Sequence, residues 1–334
     1  MSTILPSIEP LAPSSETGTV PARRLSSLLL ALTAAASLVA WWAGPAIGKW
    51  AFDYPRAWQI PAARHIGGWM KWLVNEASFG LFSFTDFTRF LAALIDIPYT
   101  LALSLLSTGF LSGQGSAAVQ IVPPLSFLGV IALVGLMGYH AGGRRLSALM
   151  VFCFGFLAVF GQWTSAMVTL ASILVAVPIG VAFGLLLGLL AYRLPLFERA
   201  ITPLLDLMQT IPIFAYLVPI LFFFGFGPTA AIVGTLIYAM PPMVRITVVG
   251  LRAVPSEIRD LGHMVGCSRR QMTWKVMVPS ASDALMVGVN QVIMLSLNMV
   301  IIASMIGAGG LGFDVLAALR RLDIGAGLQA GFAI

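Results

Sequence analysis

The sequence predicts an all-α polytopic membrane protein, and three features of its composition lead to that prediction. Of its 334 residues, 59% are hydrophobic and only 10% are charged, whereas about a quarter of the residues of a soluble domain are charged. The mean hydropathy is +0.94. Apolar runs of about twenty residues recur along the chain, and such runs are long enough to cross a bilayer as helices.

The net positive charge of the chain is explained by its membrane topology rather than by a nucleic-acid partner. The formal net charge is +6 and the pI is about 9.7. The cations cluster between apolar runs, which is the distribution that the positive-inside rule describes for cytoplasmic connections. We therefore expect the lipid bilayer, and no nucleic acid, as a partner.

The first 121 residues differ from the rest of the chain. Residues 1–22 are rich in Pro, Ser and Thr and predict a disordered cytoplasmic tail. Residues 23–121 predict an anchor helix, with a cleaved signal peptide as the alternative, followed by an interfacial, amphipathic scaffold rich in Trp, Lys and Arg. Within it, residues 87–110 predict a surface-lying or re-entrant element, because Asp96 and Pro98 lie near the middle; an ordinary span with a buried aspartate is the alternative.

Residues 122–334 predict a transmembrane domain. Its predicted spans are 122–139, 146–162, 164–192, 204–226, 228–251 and 281–306. Arginines cluster in every second connection, so those connections are expected on the cytoplasmic side, and the N-terminus joins them if 87–110 does not cross. The apolar run that begins at Gly325 predicts the start of a further span that is incomplete.

A compact basic segment, residues 252–280 (the basic loop), separates two of the predicted spans. Pro255 favours a helix start, Gly266 breaks that helix, and a second short helix is predicted before Pro279. The loop is therefore expected to form a helix–turn–helix along the cytoplasmic membrane surface. A simple connection needs only a few residues, so the length of the basic loop indicates a docking element for a soluble partner.

The basic loop resembles the cytoplasmic loop of the binding-protein-dependent importer permeases. That family's pattern is Glu-Ala-Ala, three residues, Gly, nine residues, and Ile-x-Leu-Pro. Here the sequence reads Asp260-Leu261-Gly262, three residues, Gly266, nine residues, and Val276-Met277-Val278-Pro279. Glycine in place of the second alanine weakens the first helix by about 1 kcal/mol.

The resemblance implies a type I ABC importer transmembrane-domain fold. It also implies a separate ATPase subunit that binds ATP and Mg and docks on the basic loop, so that this chain has no catalytic residue and binds no cofactor itself. The implied docking residues are Glu257, Asp260, Gly262, His263, Gly266, Cys267, Arg269, Arg270 and Pro279.

Two further stretches, 204–227 and 290–325, are similar to those of the glycine betaine/proline importer permeases, and this similarity extends from about Gln162 to the end of the chain. It implies a homodimer of permeases with two ATPase subunits and a periplasmic or extracellular substrate-binding protein, in the bacterial inner membrane. The implied cargo is a small quaternary ammonium or zwitterionic osmolyte, such as glycine betaine, proline, choline or trimethylamine N-oxide. A permease of the same architecture for an amino acid is the alternative.

Candidate residues of the transport path lie in two of the predicted spans. On one span, residues recur every four positions and share a helix face, and polar side chains in lipid usually turn toward the protein interior or a cavity. On the other, a Gln-Thr-Ile-Pro sequence interrupts the helix, and a tyrosine one turn later offers its ring to a methylated cation. Packing between helices is the alternative for each position. The candidates are Asn290, Met294 and Asn298 on the first span, and Gln209, Thr210, Pro212 and Tyr216 on the second.

The stretch from Gly307 to Gly312 matches GxGxxG literally, but it follows a membrane span rather than a strand, which excludes a dinucleotide site. Gly309, Gly310 and Gly312 instead predict a helix break at the outer face, where a binding protein docks; a plain tight turn is the alternative. None of the lysines follows a phosphate-binding glycine loop, so the energy for transport is expected from another chain or from an ion gradient.

The sequence contains no recognisable catalytic or metal constellation. Its three histidines are scattered, and its two cysteines, Cys153 and Cys267, are not expected to pair. An ion-driven secondary transporter is a less favoured alternative, because the later spans offer little beyond Asp206 and Asp283 near their ends as ionisable groups for coupling. An intramembrane enzyme would need a Ser–His, paired-Asp or metal site, and none is predicted.

Overall fold

The structure is a computed structural model and describes residues 20–47, 56–77, 83–112, 119–304, 307 and 309–334. The chain forms two compact units, residues 1–69 and residues 70–334, and each is considered by itself. Within the described residues, nearly all of the secondary structure is helical, as the composition predicts.

The first unit contains helix α1 (Val20–Ile47), a single 3-10 turn (Arg56–Trp58) and the start of α2 (Ala62–Asn75), which runs across the boundary between the units. α1 covers the predicted anchor, and its side chains from residue 26 to residue 42 are exposed. Of the predicted disordered tail, residues 1–19 lie outside the described residues and residues 20–22 belong to α1.

The second unit contains the remaining elements. Among the described residues, the helices Phe84–Thr108, Trp163–Arg193 and Pro228–Arg252 are each long and apolar enough to cross a membrane, and Phe127–Val159 passes the same test only if its two arms are counted together. A π turn (Ser104–Thr108) extends α3, and a second one (Met272–Met277) joins α10 to α11. The elements are α3 (Phe84–Leu103), β1 (Phe110–Ser112), β2 (Val119–Val122), α4 (Phe127–Val159), α5 (Trp163–Arg193), α6 (Pro195–Thr210), α7 (Ile213–Phe224), α8 (Pro228–Arg252), α9 (Ser256–Met264), α10 (Arg269–Gln271), α11 (Val278–Ser280), α12 (Ser282–Ala303), α13 (Leu311–Arg321) and α14 (Ile324–Ala333). β1 and β2 pair antiparallel.

α3 covers most of residues 87–110, the segment predicted to be either a surface-lying or re-entrant element or an ordinary span. Ser83 and Asp86 form a reciprocal capping box at its start, and the helix continues through Pro98 without a break. A continuous helix is not a re-entrant hairpin, so a surface-lying helix and an ordinary span remain. Asp96 accepts a 3.5 Å hydrogen bond from the hydroxyl of Thr229 on the first turn of α8. The position of α3 in the bilayer stays a prediction.

α4 consists of two antiparallel arms. Gly142 (φ −150°) and Gly143 (φ +71°) leave the helical conformation. A Cβ added at Gly138 would lie 3.1 Å from the Cα of Ser147, so the two arms touch on either side of this turn. The hairpin confirms the two helices predicted at 122–139 and 146–162 and places Arg144 directly after the turn.

The centre of the second unit is formed by α5, α8 and α12. Glycines let α5 approach α8 closely, because a Cβ at Gly184 would lie 2.7 Å from the Cβ of Met243, and one at Gly188 would lie 2.5 Å from the Cβ of Thr247. α12 packs on α8 in the same way at Gly288, whose added Cβ would lie 2.6 Å from the Met243 sulfur. These three helices confirm the predicted spans 164–192, 228–251 and 281–306 to within three residues.

The predicted span 204–226 is broken where the Gln-Thr-Ile-Pro sequence predicts an interruption. The chain bends by 104° between α6 and α7, so the apolar helix starts only at Ile213. α6 is amphipathic, and its two carboxylates form ion pairs with α8: Asp206 with Arg245, and Glu198 with Arg252. The pairs orient α6 alongside α8, and extended backbone at Ile211 and Pro212 ends α6 before α7 begins.

Candidate functional site

The basic loop folds as the predicted helix–turn–helix. Gly266 has φ +78°, and its N–H donates to the His263 carbonyl at 3.0 Å. The N–H of Cys267 donates to the carbonyl of Gly262, also at 3.0 Å. This pair of bonds is the Schellman arrangement, in which a glycine closes a helix end. Ser268 then caps α10 through a reciprocal capping box, so local hydrogen bonds fix both sides of the turn.

Gly262, where the importer pattern has alanine, is buried against the second half of the loop. A Cβ added there would lie 2.7 Å from the Cε of Met272 and 2.9 Å from its sulfur. Glycine therefore lets the two helices of the loop approach each other, and the departure from the pattern has a packing reason. The facing atoms are the flexible end of a side chain, so an alanine would displace only that end.

The basic loop is held to the spans by buried side chains. Val254, just before α9, is 3% exposed, and Met277, at the end of the π turn, is 4% exposed. Both belong to a core cluster that includes Leu251 of α8. At the end of α5, the Arg193 guanidinium donates to the hydroxyl of Thr273. A force on the loop therefore reaches α5 and α8 through direct contacts.

The outer side of α9 carries an apolar patch that the sequence reasoning missed. Leu261, Met264 and Val265 are 60%, 83% and 74% exposed and form the α9 patch. Glu257 and Asp260 lie exposed on the same helix. The i, i+3, i+4 spacing of the patch on a helical projection is the signal that would have found it. Exposed apolar patches bordered by polar residues are typical of protein interaction sites.

Three of the predicted docking residues, His263, Cys267 and Arg269, line a cavity of 650 Å³ between the end of α5 and the basic loop (the loop cavity), and their role in docking stays a prediction. Arg270 and Pro279 are exposed outside it. The predicted docking residues therefore fall into three groups: some are exposed on the outer face of the loop, Gly262 packs inside the loop, and others line the cavity. The loop cavity is lined by Arg193, Leu194, His263, Cys267, Arg269 and Met272.

The first group of candidate pathway residues shares one face of α12, as predicted. Asn290, Met294 and Asn298 are all exposed, whereas Val292 and Met299 on the opposite face are fully buried. Polar side chains on an apolar helix are costly against lipid, so this face requires either water or another protein surface.

The second group lies at the bend between α6 and α7. Gln209 and Thr210 end α6, Pro212 precedes α7, and all three are exposed. Tyr216 is half-buried, and its hydroxyl is buried without a hydrogen-bond partner among the described residues. The structure thus places a tyrosine ring and an unsatisfied hydroxyl one turn beyond the bend.

The glycines after α12 form a tight turn. Gly309 and Gly310 have φ of +71° and +81°. A Cβ added at Gly310 would lie 2.5 Å from the Thr169 hydroxyl oxygen, and one added at Gly312, which is buried, would lie 2.7 Å from the Cα of Ile301. Backbone conformation and close packing thus account for these glycines, as the alternative interpretation holds, and docking of a binding protein at this turn stays a prediction.

In the part of the chain that the structure describes, no group of three or more His, Cys, Asp or Glu side chains is placed to bind a metal ion. Cys153 and Cys267 are free thiols in the structure.

Comparison with known proteins connects these features to transport. Residues 180–334 match the family of binding-protein-dependent transport system inner membrane components. The chain is 42% identical over 213 residues to the trimethylamine N-oxide transport system permease protein TmoV of Pelagibacter ubique, a match that covers 64% of this chain and 30% of TmoV.

Two further relatives match this chain over a larger share of their own length. The chain is 41% identical over 204 residues to the glycine betaine/proline betaine transport system permease protein ProW of Escherichia coli, covering 61% of this chain and 58% of ProW. It is 38% identical over 229 residues to the glycine betaine transport system permease protein OpuAB of Bacillus subtilis, covering 68% of this chain and 81% of OpuAB. The chain therefore spans about a third of TmoV, more than half of ProW and four fifths of OpuAB.

Proposed function

Because the chain belongs to the family of binding-protein-dependent transport system inner membrane components, we propose that it is the translocation subunit of an importer driven by a separate ATPase. The ATPase subunit, with its ATP and Mg, docks on the basic loop from the cytoplasm. Closure of the ATPase moves the loop, and the attached spans exchange inward-facing for outward-facing access. This chain conducts the cargo and leaves hydrolysis to its partner.

The observation that carries this role is the α9 patch on a rigidly attached helix. Leu261, Met264 and Val265 expose most of their surface in the isolated chain, and burying each in a partner groove contributes about 1.5–3 kcal/mol. The turn at Gly266 and the buried anchors Val254 and Met277 support the proposal, because they prevent the patch from moving independently of the spans.

The cargo in this proposal is a small quaternary ammonium or zwitterionic osmolyte. Support comes from the relatives, whose names give trimethylamine N-oxide, glycine betaine and proline betaine as their transported compounds. These compounds share a compact methylated or fully substituted nitrogen centre, which an aromatic face attracts. Tyr216 is the aromatic candidate of this chain, and strong recognition is assigned to a separate substrate-binding protein.

The pathway in this proposal lies between two permease copies. The exposed face of α12, with Asn290, Met294 and Asn298, is polar where lipid would be expected in a single chain. A second copy of the same chain placed against this face encloses the asparagines and provides a polar route. Gln209, Thr210 and Pro212 at the α6–α7 bend then border the route.

Docking on the α9 patch is tested by placing a charge in it. The tagged chain, purified from cells that produce its own transport system, should retain an ATPase subunit and ATP hydrolysis. Met264→Asp puts a carboxylate at a position that is 83% exposed, so the fold tolerates it while the partner must bury it. We expect at least a ten-fold loss of co-purified ATPase activity.

Leu322→Asp is the matched control, because Leu322 is also 83% exposed but lies after α13, far along the chain from the basic loop. It should retain the ATPase subunit. An unchanged yield of ATPase with Met264→Asp would exclude the α9 patch as the docking surface.

The cargo is tested by competition. Uptake of labelled glycine betaine should be reduced by unlabelled trimethylamine N-oxide, whereas competition by amino acids alone would overturn the osmolyte assignment.

A further inference from the structure

We propose that the loop cavity binds the phosphate group of an anionic phospholipid from the cytoplasmic leaflet. The cavity measures 650 Å³ and lies where α5 ends and the basic loop begins to turn. The loop cavity is a second site on the basic loop, and its lining residues are not those of the exposed α9 patch.

The charge of the lining favours an anion. Arg193 and Arg269 place two guanidinium groups at the cavity, and none of the described residues that line it is acidic. Arg193 donates to the neutral hydroxyl of Thr273, which leaves its charge uncompensated. Neither arginine takes part in the two ion pairs found among the described residues, which use Arg245 and Arg252. Planar guanidinium groups bind phosphate oxygens through paired hydrogen bonds.

The position of the cavity favours a lipid over a dissolved anion. Arg193 is the last residue of α5, a helix long enough to span, so its side chain lies at the depth of the headgroups. Leu194, which lines the cavity, and Leu196 at the start of α6 are 50% and 81% exposed. Apolar side chains beside paired arginines fit a molecule with a charged head and an acyl body, and basic pockets at this membrane face are known to take anionic headgroups.

An occupant of the cavity would brace the basic loop against α5. The lining comes from α5 (Arg193), from the end of α9 (His263) and from the start of α10 (Arg269). A phosphate shared by these elements joins the two helices of the loop to one span. Anionic lipid is therefore expected to stiffen the joint between loop and spans.

The test measures lipid binding to the purified full-length chain in neutral detergent. Short-chain phosphatidylglycerol is titrated and bound lipid is counted by native mass spectrometry, with phosphatidylcholine of the same chain length and inorganic phosphate as separate arms. Wild-type protein should bind phosphatidylglycerol in preference to phosphatidylcholine. Arg193→Gln and Arg269→Gln should each lower its affinity about five-fold, the effect expected for removing one cation near anionic lipid.

Arg270→Gln is the matched control, because Arg270 adjoins Arg269 but does not line the cavity. The Arg270→Gln variant should bind phosphatidylglycerol with the affinity of the wild type. Arg193→Lys and Arg269→Lys should retain most of the binding, since an ammonium still attracts phosphate as a point charge. A salt titration of the unmodified chain needs no variant: phosphatidylglycerol binding should weaken as salt rises while phosphatidylcholine binding does not.

Three results would overturn the proposal. Equal phosphatidylglycerol binding by the wild type and the Arg193→Gln/Arg269→Gln double variant would place the lipid elsewhere. Displacement of the lipid by inorganic phosphate at millimolar concentration would make the ligand a soluble anion. Loss of the ATPase subunit from the double variant, with lipid binding unchanged, would assign the cavity to an acidic group of that partner.

Discussion

Two glycine-to-alanine substitutions in the basic loop should have different effects on its turn. Gly266 has φ +78°, and an alanine in that left-handed conformation is strained by about 1–2 kcal/mol. No atom lies within 4 Å of the Cβ that the substitution adds, so the backbone strain is the whole cost. Since about 1.4 kcal/mol corresponds to a factor of ten, the open form of the turn should become about 5–30 times more populated.

Gly262→Ala is the matched control, because it adds the same methyl group one turn earlier in α9. Alanine is favoured over glycine within a helix by about 1 kcal/mol. The added Cβ would meet only the flexible end of Met272, with the Cε at 2.7 Å. Displacing that end offsets part of the gain, so we expect a net effect between zero and a slight stabilisation of the loop.

Hydrogen exchange at the Cys267 amide measures the opening of the turn, because this N–H bonds the Gly262 carbonyl at 3.0 Å. Exchange should be about 5–30-fold faster in Gly266→Ala and no faster than wild type in Gly262→Ala. In the reconstituted importer, uptake per ATP hydrolysed should fall in the first variant only. Wild-type exchange in Gly266→Ala, or equal acceleration in both variants, would refute the argument that the positive φ holds the turn.

Three further predictions concern packing, ion pairs and the pathway. Gly188→Val should destabilise the α5–α8 contact by about 1–3 kcal/mol and lower the thermal unfolding temperature, because an added Cβ lies 2.5 Å from the facing threonine; Gly155→Val, in α4, has no atom within 4 Å of its Cβ and should leave that temperature nearly unchanged. A double-mutant cycle on Glu198→Gln and Arg252→Gln should give a coupling free energy below about 1 kcal/mol that shrinks with added salt, since both side chains are partly exposed; a larger, salt-insensitive value would contradict this. Asn298→Leu should reduce cargo uptake while ATPase co-purification and thermal stability stay at wild-type values, and full uptake would remove this residue from the pathway.

Much of the fold could be predicted from the sequence. The boundaries of α5 and α8 follow from long, predominantly apolar runs, and the structure places them within one residue of 164–192 and 228–251. The helix–turn–helix of the basic loop was predicted from Pro255 and Gly266, because few residues other than glycine adopt the positive φ that closes α9. These features depend on residues that are neighbours in the chain, so local patterns reveal them.

The features that were missed depend on residues far apart in sequence. The position of the break between α6 and α7 is predicted by the Gln-Thr-Ile-Pro sequence, but its angle of 104° depends on the packing of α6 beside Arg245 and Arg252 of α8. The loop cavity brings together Arg193 and Arg269, which are separated by about half of the matched region. The close contact of Gly262 with Met272 is likewise invisible in the sequence, where this glycine predicts a weaker helix and a docking position but no packing role.

The membrane location of this protein and the bounds of its long apolar helices follow from the amino-acid sequence alone. Lipid offers no hydrogen bonds to the backbone, so a long apolar run has to close its bonds within a helix whatever surrounds it. Which surfaces remain exposed depends on the packing of the helices against one another; these surfaces are the α9 patch, the face of α12 with Asn290 and Asn298, and the basic lining of the loop cavity. Burial is a property of the packed helices together, because a side chain is hidden or exposed by elements that lie elsewhere in the chain.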